Sequence, residues 1–200
     1  MTNSNFLLIL VLGLVFGVVH STLASSYVKS YAVRLFGQKG SRYYRLFFVI
    51  AAAITSLAYF APVVLLKDAP LYQIPLPWRY LTLLIQLGAG IFVIVALFQT
   101  SLLHFTGLSA LMGEKSAADH LITNGFYRYT RHPIYLFSLI LLWLFPVMTW
   151  NRLALAIGVT VYTLVGSLLE ERRLAAQFGQ EYLEYKKRTP WLIPNPFKHR

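Results

Sequence analysis

Apolar residues along this chain fall into long uncharged runs, not into the strict alternation of a half-buried strand. Four runs stand out, Phe6 to Ser26, Leu46 to Leu66, Tyr80 to Leu103 and Leu153 to Leu169, and Pro133 to Trp150 makes a fifth of similar character. A helix crossing the bilayer core needs about 20 mostly apolar residues, within a range of roughly 17 to 25. The pattern predicts an all-α integral membrane protein with five transmembrane helices. Residues 1–200 form a single multipass domain, with helices 1–3 in residues 1–103 and helices 4 and 5 plus a polar tail in residues 104–200. The opening MTNSN carries no positive n-region, so the first run is kept as a helix and not as a cleaved signal.

Composition agrees, since 57% of residues are hydrophobic and only 12% charged, unlike an ordinary soluble domain. The net charge of +11 gains meaning from its distribution. Fifteen of the Lys and Arg residues lie between helices 1 and 2, between helices 3 and 4, and after helix 5, against three (Lys67, Arg79 and Arg152) on the opposite side. The positive-inside rule then places the amino terminus outside and the carboxyl terminus in the cytoplasm. Basicity is a topology signal, aided by attraction to anionic lipid headgroups, and no nucleic-acid partner is expected. The chain has no cysteine, which excludes disulfides, thiolate nucleophiles and cysteine metal sites. It has no HExxH, P-loop, GxSxG or metal-ligand spacing, so no metal site is expected.

The two external connections are short, which leaves chemistry to the cytoplasmic side. Only a few polar residues separate helices 4 and 5, so they form a tight antiparallel pair that returns Glu170 and Glu171 to the level of Arg128, Arg131 and His132. From Leu169 onward, Leu174, Phe178 and Tyr182 or Leu183 keep near-helical spacing, so helix 5 is expected to continue, disturbed at Gly179, until Pro190, Pro194 and Pro196 end it.

The stretch GFYRYTRHPIY, residues 125–135, admits two readings. Its arginines, histidine and tyrosines are what anchors a helix among headgroups, and on physical grounds alone this is the favoured reading. The other is a site. Pro133 suits the first helical turn, and the backbone N–H groups after it, with the positive end of the helix dipole, suit a carboxylate or phosphate. Glu170 and Glu171 belong to only seven acidic residues and sit together where an uncharged helix ends. A helix C-terminus and an anionic leaflet both disfavour them. They are either salt-bridge partners of Arg128, Arg131 or Arg172, or carboxylates that hold a ligand. His20 and His104 fit membrane-interface positions, and Gln86, Gly88 and Gly90 fit close helix packing.

The motif DHLITNGFYRYTRHPIY, followed about one helical hairpin later by EERRLAAQFGQEYLEYKKRTPWLIP, resembles the isoprenylcysteine carboxyl methyltransferase family and its phospholipid methyltransferase relatives. The likeness covers roughly residues 104–194; the first half, with HSTLAS and RYYRLFF, is more loosely similar to NnrU-like and methanethiol methyltransferase branches. The resemblance implies a membrane enzyme of the bacterial inner membrane or endoplasmic reticulum. It would transfer methyl from S-adenosylmethionine to a lipophilic or small acceptor, with S-adenosylhomocysteine as product. By position it implies cofactor contacts from Asp119, His120, Leu121, Ile122, Tyr127, His132, Pro133, Ile134, Tyr135 and Glu170. Where carboxyl methyltransferases carry a substrate-binding arginine this chain has Gly166, which weakens the case for a carboxylate acceptor and leaves an isoprenylcysteine held differently, a lipid amine or a small thiol. An amine or neutral thiol needs a proton acceptor, for which Glu171 and His104 are the candidate catalytic residues. The alternatives are phospholipid N-methylation and a non-catalytic NnrU-like membrane protein.

Overall fold

The computed structural model describes residues 2–100 and 120–194. Its elements are α1 (Thr2–Ala24), α2 (Ser26–Leu65), β1 (Pro70–Gln73), α3 (Trp78–Gln99), a 3-10 turn at Gly125–Arg128, α4 (Pro133–Trp143), β2 (Val147–Thr149), α5 (Trp150–Phe178) and α6 (Gln180–Arg188). Among the described residues four helical segments are long and apolar enough to cross a membrane: Ser4–Ala24, Leu46–Leu65, Trp78–Gln99 and Trp150–Phe178. The expected fifth span, Pro133 to Trp150, differs. Only the 11 residues of α4 are helical, roughly 16 Å at the α-helical rise and about half a bilayer core. Pro146 has no N–H to continue the helix, and the chain turns instead into β2, which pairs with β1.

The described chain divides into two compact units, residues 2–71 with Met148–Tyr162, and residues 72–100, 120–147 and 163–194. In the first, α1 packs along α2. Ser25 caps α2, its hydroxyl accepting from the Val28 N–H at 3.3 Å. Residues 27–45, read from sequence as a connection, are helical on both sides of a break at Gly37, whose φ of 64° favours glycine. The core of this unit is an aromatic cluster in which Phe16 lies against His20, Tyr59 and Tyr162. Tyr59 is buried and donates its hydroxyl hydrogen to the Leu155 carbonyl at 3.3 Å. Gly13 and Gly158 make room for it, because a Cβ on Gly13 would stand 2.8 Å from the Tyr59 ring and one on Gly158 would collide with its hydroxyl. Asp68 accepts from the Asn151 N–H at 3.1 Å, satisfying one orphan donor in the first turn of α5.

In the second unit α3 packs on α4. Gln86 donates its amide to the Leu141 carbonyl at 2.7 Å, one of the last α4 carbonyls that the helix itself cannot satisfy. In an apolar surround this matters, since an unpaired carbonyl has no water to turn to. A Cβ on Gly90 would stand 4.0 Å from the Leu141 side chain and one on Gly88 would meet nothing within 4 Å, so of the three residues expected to serve close packing it is Gln86 that ties α3 to α4.

The Tyr59 packing makes a discriminating prediction. Gly158→Ala and Gly13→Ala should each cost about 1 to 3 kcal/mol, the usual range for overpacking. Tyr59→Phe should restore the melting temperature of Gly158→Ala, whose clash is with the hydroxyl, and leave Gly13→Ala impaired, whose clash includes the ring. Thermal unfolding of the four proteins in detergent checks this; equal rescue of both would show that the glycines serve another purpose.

Candidate functional site

The chemistry-bearing residues of the second unit gather at the start of α4, and each is put there by a local feature. Gly125 has φ of +58° and lies so close to the Gln99 carboxamide that any Cβ would collide with it. Gln99 Oε1 in turn accepts from the Phe126 N–H at 3.2 Å, fixing the 3-10 turn to the end of α3. Phe126, Phe92 and Phe137 close the turn onto α3 and α4 with ring centroids 5.0–5.3 Å apart. From this turn the backbone passes through Thr130, Arg131 and His132 to Pro133, the first residue of α4.

The tail holds that passage from the other side. The Arg131 N–H donates to the Pro190 carbonyl at 3.0 Å, and the Thr130 hydroxyl donates to the Leu192 carbonyl at 2.8 Å. The Tyr185 hydroxyl donates to the Tyr127 carbonyl at 2.6 Å, and Trp191 Nε1 donates to the Ser167 hydroxyl at 3.1 Å. Gly179, with φ of +55°, separates α5 from α6 and so redirects the tail where the sequence pattern expects a disturbance. Tyr182 and Tyr185, one turn apart on α6, are both buried.

Glu171 sits at the centre. Its side chain is 5% exposed, and Arg131 Nη2 and Lys186 Nζ each approach one of its oxygens at 2.7 Å. His132 Nε2 is 3.5 Å from the oxygen that Arg131 holds. Arg131 also donates through Nη1 to the Lys186 carbonyl at 2.9 Å, so one guanidinium joins α4, α5 and α6. Glu170 differs from its neighbour. It is 37% exposed, accepts from the Tyr135 hydroxyl at 2.9 Å, and lies 3.7 Å from His132 Nδ1. The His132 and Tyr135 rings stack at 5.3 Å.

Burial holds the His132 imidazole below its usual pKa, against the opposing pull of Glu170 and Glu171. Its Nε2 is buried with the Glu171 oxygen 3.5 Å away, and the Tyr182 hydroxyl is buried beside the same carboxylate. Burial, reinforced by the Glu171 charge, pushes the Tyr182 phenol far above its ordinary value, and burial with the Glu170 charge does the same to Tyr127. No side chain caps the start of α4. The arrangement offers a half-exposed carboxylate, a neutral imidazole and an uncapped helix N-terminus, groups that can receive a ligand carrying both an anionic and a cationic or hydroxylic end.

Of the residues expected at a site, Tyr127, His132, Pro133, Tyr135, Glu170 and Glu171 stand in one cluster, with Ile134 in the same first turn of α4. His120 is exposed, Leu121 and Ile122 are half-buried, and among the described residues no hydrogen bond or ion pair ties them to that cluster. Asp119 and His104 lie outside the described residues. Sequence reasoning missed Gln99, Thr130, Lys186 and Trp191. Gln99 carried a faint signal, a polar residue near the end of the third apolar run. Thr130 and Trp191 carried none, since their partners are backbone carbonyls or a serine far along the chain.

A family model described as phospholipid methyltransferase matches residues 81–181, half of the chain and all of α4 and α5. The chain belongs to this family. Among curated relatives it is 43% identical over 84 residues to methanethiol S-methyltransferase 1 of Bradyrhizobium diazoefficiens, covering 42% of this chain and 30% of that protein. It is 36% identical over 119 residues to the methanethiol S-methyltransferase of Pseudomonas deceptionensis, covering 58% of this chain and 45% of that protein. It is 34% identical over 92 residues to human protein-S-isoprenylcysteine O-methyltransferase, covering 42% of this chain and 31% of that protein. The chain thus spans less than half the length of these relatives. No solved structure gives a significant match.

Two outcomes follow from the family member's charge cluster. Glu171→Gln leaves Arg131 and Lys186 without their counter-charge and should destabilise by about 3 kcal/mol, the scale for breaking a buried pair; Glu170→Gln, half-exposed, should stay within about 1 kcal/mol. Detergent melting curves separate the two. Because the folded-state pKa of His132 is depressed, its contribution to stability is complete above its unfolded value near 6.5 and is lost as the pH falls through the lower folded value. Melting temperature should therefore fall more steeply between about pH 7 and about pH 5 for the native chain than for His132→Gln. Parallel profiles would show that other groups carry the acid sensitivity.

Proposed function

We propose that this protein is an S-adenosylmethionine-dependent membrane methyltransferase acting on a small thiol, with its site at the cytoplasmic face. The observation that carries the reading is the juxtaposition of half-exposed Glu170 with Tyr135 and buried His132 at the uncapped start of α4. These groups fit the cofactor's chemistry. Glu170 is the acceptor for an ammonium or for ribose hydroxyls, while His132 Nε2 and the first-turn N–H groups of α4 are the surroundings for a carboxylate. His120, Leu121 and Ile122, with Asp119 beyond the described residues, are proposed to complete the nucleoside side. The bound cofactor would supply a methyl group on an electrophilic sulfonium.

What remains for the protein is alignment and exclusion of water, since displacement at a sulfonium needs an in-line approach more than a strong catalyst. Glu171 is assigned a holding role. With both oxygens taken by cations, it keeps α4, α5 and α6 in register and is poorly placed to accept a proton. Proton removal from a thiol then falls to His104, to Glu170 or to water. The fifteen-to-three distribution of basic residues supports the cytoplasmic placement.

The acceptor is argued from Gly166 and from the relatives. The methanethiol relatives are named for transfer to sulfur and the isoprenylcysteine relative for transfer to oxygen, and the former share the higher identity with this chain. Gly166, one turn before Glu170, offers no cation, and a Cβ there would meet no atom within 4 Å. A small uncharged thiol needs no such cation. The family description keeps phospholipid as the second reading.

Calorimetry of the purified protein should detect S-adenosylmethionine, and His132→Ala and Glu170→Ala should each weaken binding about 10-fold or more, the worth of one charge-assisted hydrogen bond. Labelled methyl should pass to methanethiol and not into phospholipid. Undiminished binding in both variants defeats the site assignment, whereas label in lipid with binding intact defeats only the acceptor.

A further inference from the structure

The first half of α2 is left unexplained by everything above. Residues 26–36 form a helix of their own, capped by Ser25 and cut off by the break at Gly37. They are not needed to cross the bilayer, because the apolar span of α2 is Leu46–Leu65. Yet the segment is rich in large apolar side chains turned outward. Tyr27 is 78% exposed, Tyr31 55%, Leu35 58% and Phe36 70%.

Their order along the helix is the informative part. Tyr27, Tyr31 and Leu35 follow one another at intervals of four and form one stripe. At about 100° per residue, Val28, Ala32 and Phe36 widen this stripe to about half of the wheel, Ser30 falls opposite it, and the exposed Lys29 and Arg34 stand at its two edges. Between Tyr27 and Arg45 the sequence holds Lys29, Arg34, Lys39, Arg42 and Arg45 and no acidic residue. A helix with an exposed aromatic stripe would be a liability in water and, with its cations, a poor guest in hydrocarbon. It fits the boundary between the two, where the apolar side enters the acyl layer and lysine and arginine reach the headgroups.

We propose that residues 26–36 lie flat in the membrane interface as a docking foot for anionic phospholipid headgroups. Tyr27, Tyr31 and Leu35 are inserted, Lys29 and Arg34 bind phosphate, and Gly37 is the joint that lets the foot lie across the direction of the following span. The charge of the segment selects the partner, since zwitterionic headgroups offer no net attraction to cations and anionic ones do. The aromatic stripe makes the occupant a lipid surface and not soluble phosphate.

The test uses the full-length protein reconstituted in vesicles. Since the sequence lacks cysteine, single substitutions Ser30→Cys, Tyr31→Cys and Leu35→Cys each give one nitroxide label. Labels at positions 31 and 35 should collide mainly with oxygen, and the label at 30 mainly with an aqueous nickel chelate. Adding phosphatidylglycerol to phosphatidylcholine should deepen the label at 31. Replacing Lys29 and Arg34 together by Gln should remove that response, shifting the bound-to-free balance of the foot roughly 30-fold toward water. The proposal is overturned if the label at 31 reports water in anionic vesicles, or if it is sheltered from both reagents as at a protein contact. It also fails if lipid charge makes no difference while Lys29 and Arg34 are present. A misfolded double variant does not blunt the test, because the depth pattern and its lipid dependence are read on single-cysteine proteins that keep Arg34.

Discussion

Everything at the candidate site depends on one buried carboxylate. Glu171 has lost nearly all contact with water, and an uncompensated charge in that position would cost several kcal/mol. Two cations within 2.7 Å supply the compensation, and they come from different places: Arg131 precedes α4, and Lys186 lies on α6. To satisfy one residue, three helices must meet in one register. Arg131 extends the constraint, because its guanidinium also reaches the Lys186 carbonyl and its backbone N–H reaches Pro190. The charge cluster is thus also the joint of the second unit.

The pair Glu170–Glu171 shows how neighbours in sequence acquire different properties. Adjacent residues on a helix point about 100° apart, and here that turn separates the inside of the joint from its rim. Glu171 faces the cations and is committed. Glu170 faces Tyr135 and His132, keeps contact with water, and has acceptor capacity left over. A ligand with a cationic or hydroxylic end would find its partner in the second carboxylate because the first is already spent on holding the frame.

How much of this was legible depended on the kind of force involved. The long apolar runs were plain, since a bilayer demands length and composition, and four of them appear as helices long enough to cross. The meeting of RHP with EERR followed from chain return alone. The fifth run misled because apolar character in Leu144, Phe145 and Pro146 does not distinguish a helix from the strand that Pro146 introduces. Residues 27–45 looked like a connection because their charges are frequent, whereas an amphipathic helix tolerates such charges on one face. The contacts of Thr130, Gln99 and Trp191 were invisible for a different reason: they end on backbone carbonyls, an N–H or a distant serine, and leave no pattern in side-chain identity.

Those invisible contacts bear most directly on mechanism. The proposed methyl transfer asks for a geometry held to fractions of an ångström, and the start of α4 is a backbone passage with no side-chain cap of its own. Its rigidity is borrowed. Gln99 pins the turn before it, the Tyr185 hydroxyl pins Tyr127, and the carbonyls of Pro190 and Leu192 pin Arg131 and Thr130. The tail is therefore a wall of the candidate site. These bonds hold the backbone on either side of His132, whose imidazole is thereby kept buried between Glu170 and Glu171. The tail supplies both kinds of partner: Tyr185 and Trp191 donate from their side chains to Tyr127 and Ser167, and the carbonyls of Pro190 and Leu192 accept from Arg131 and Thr130.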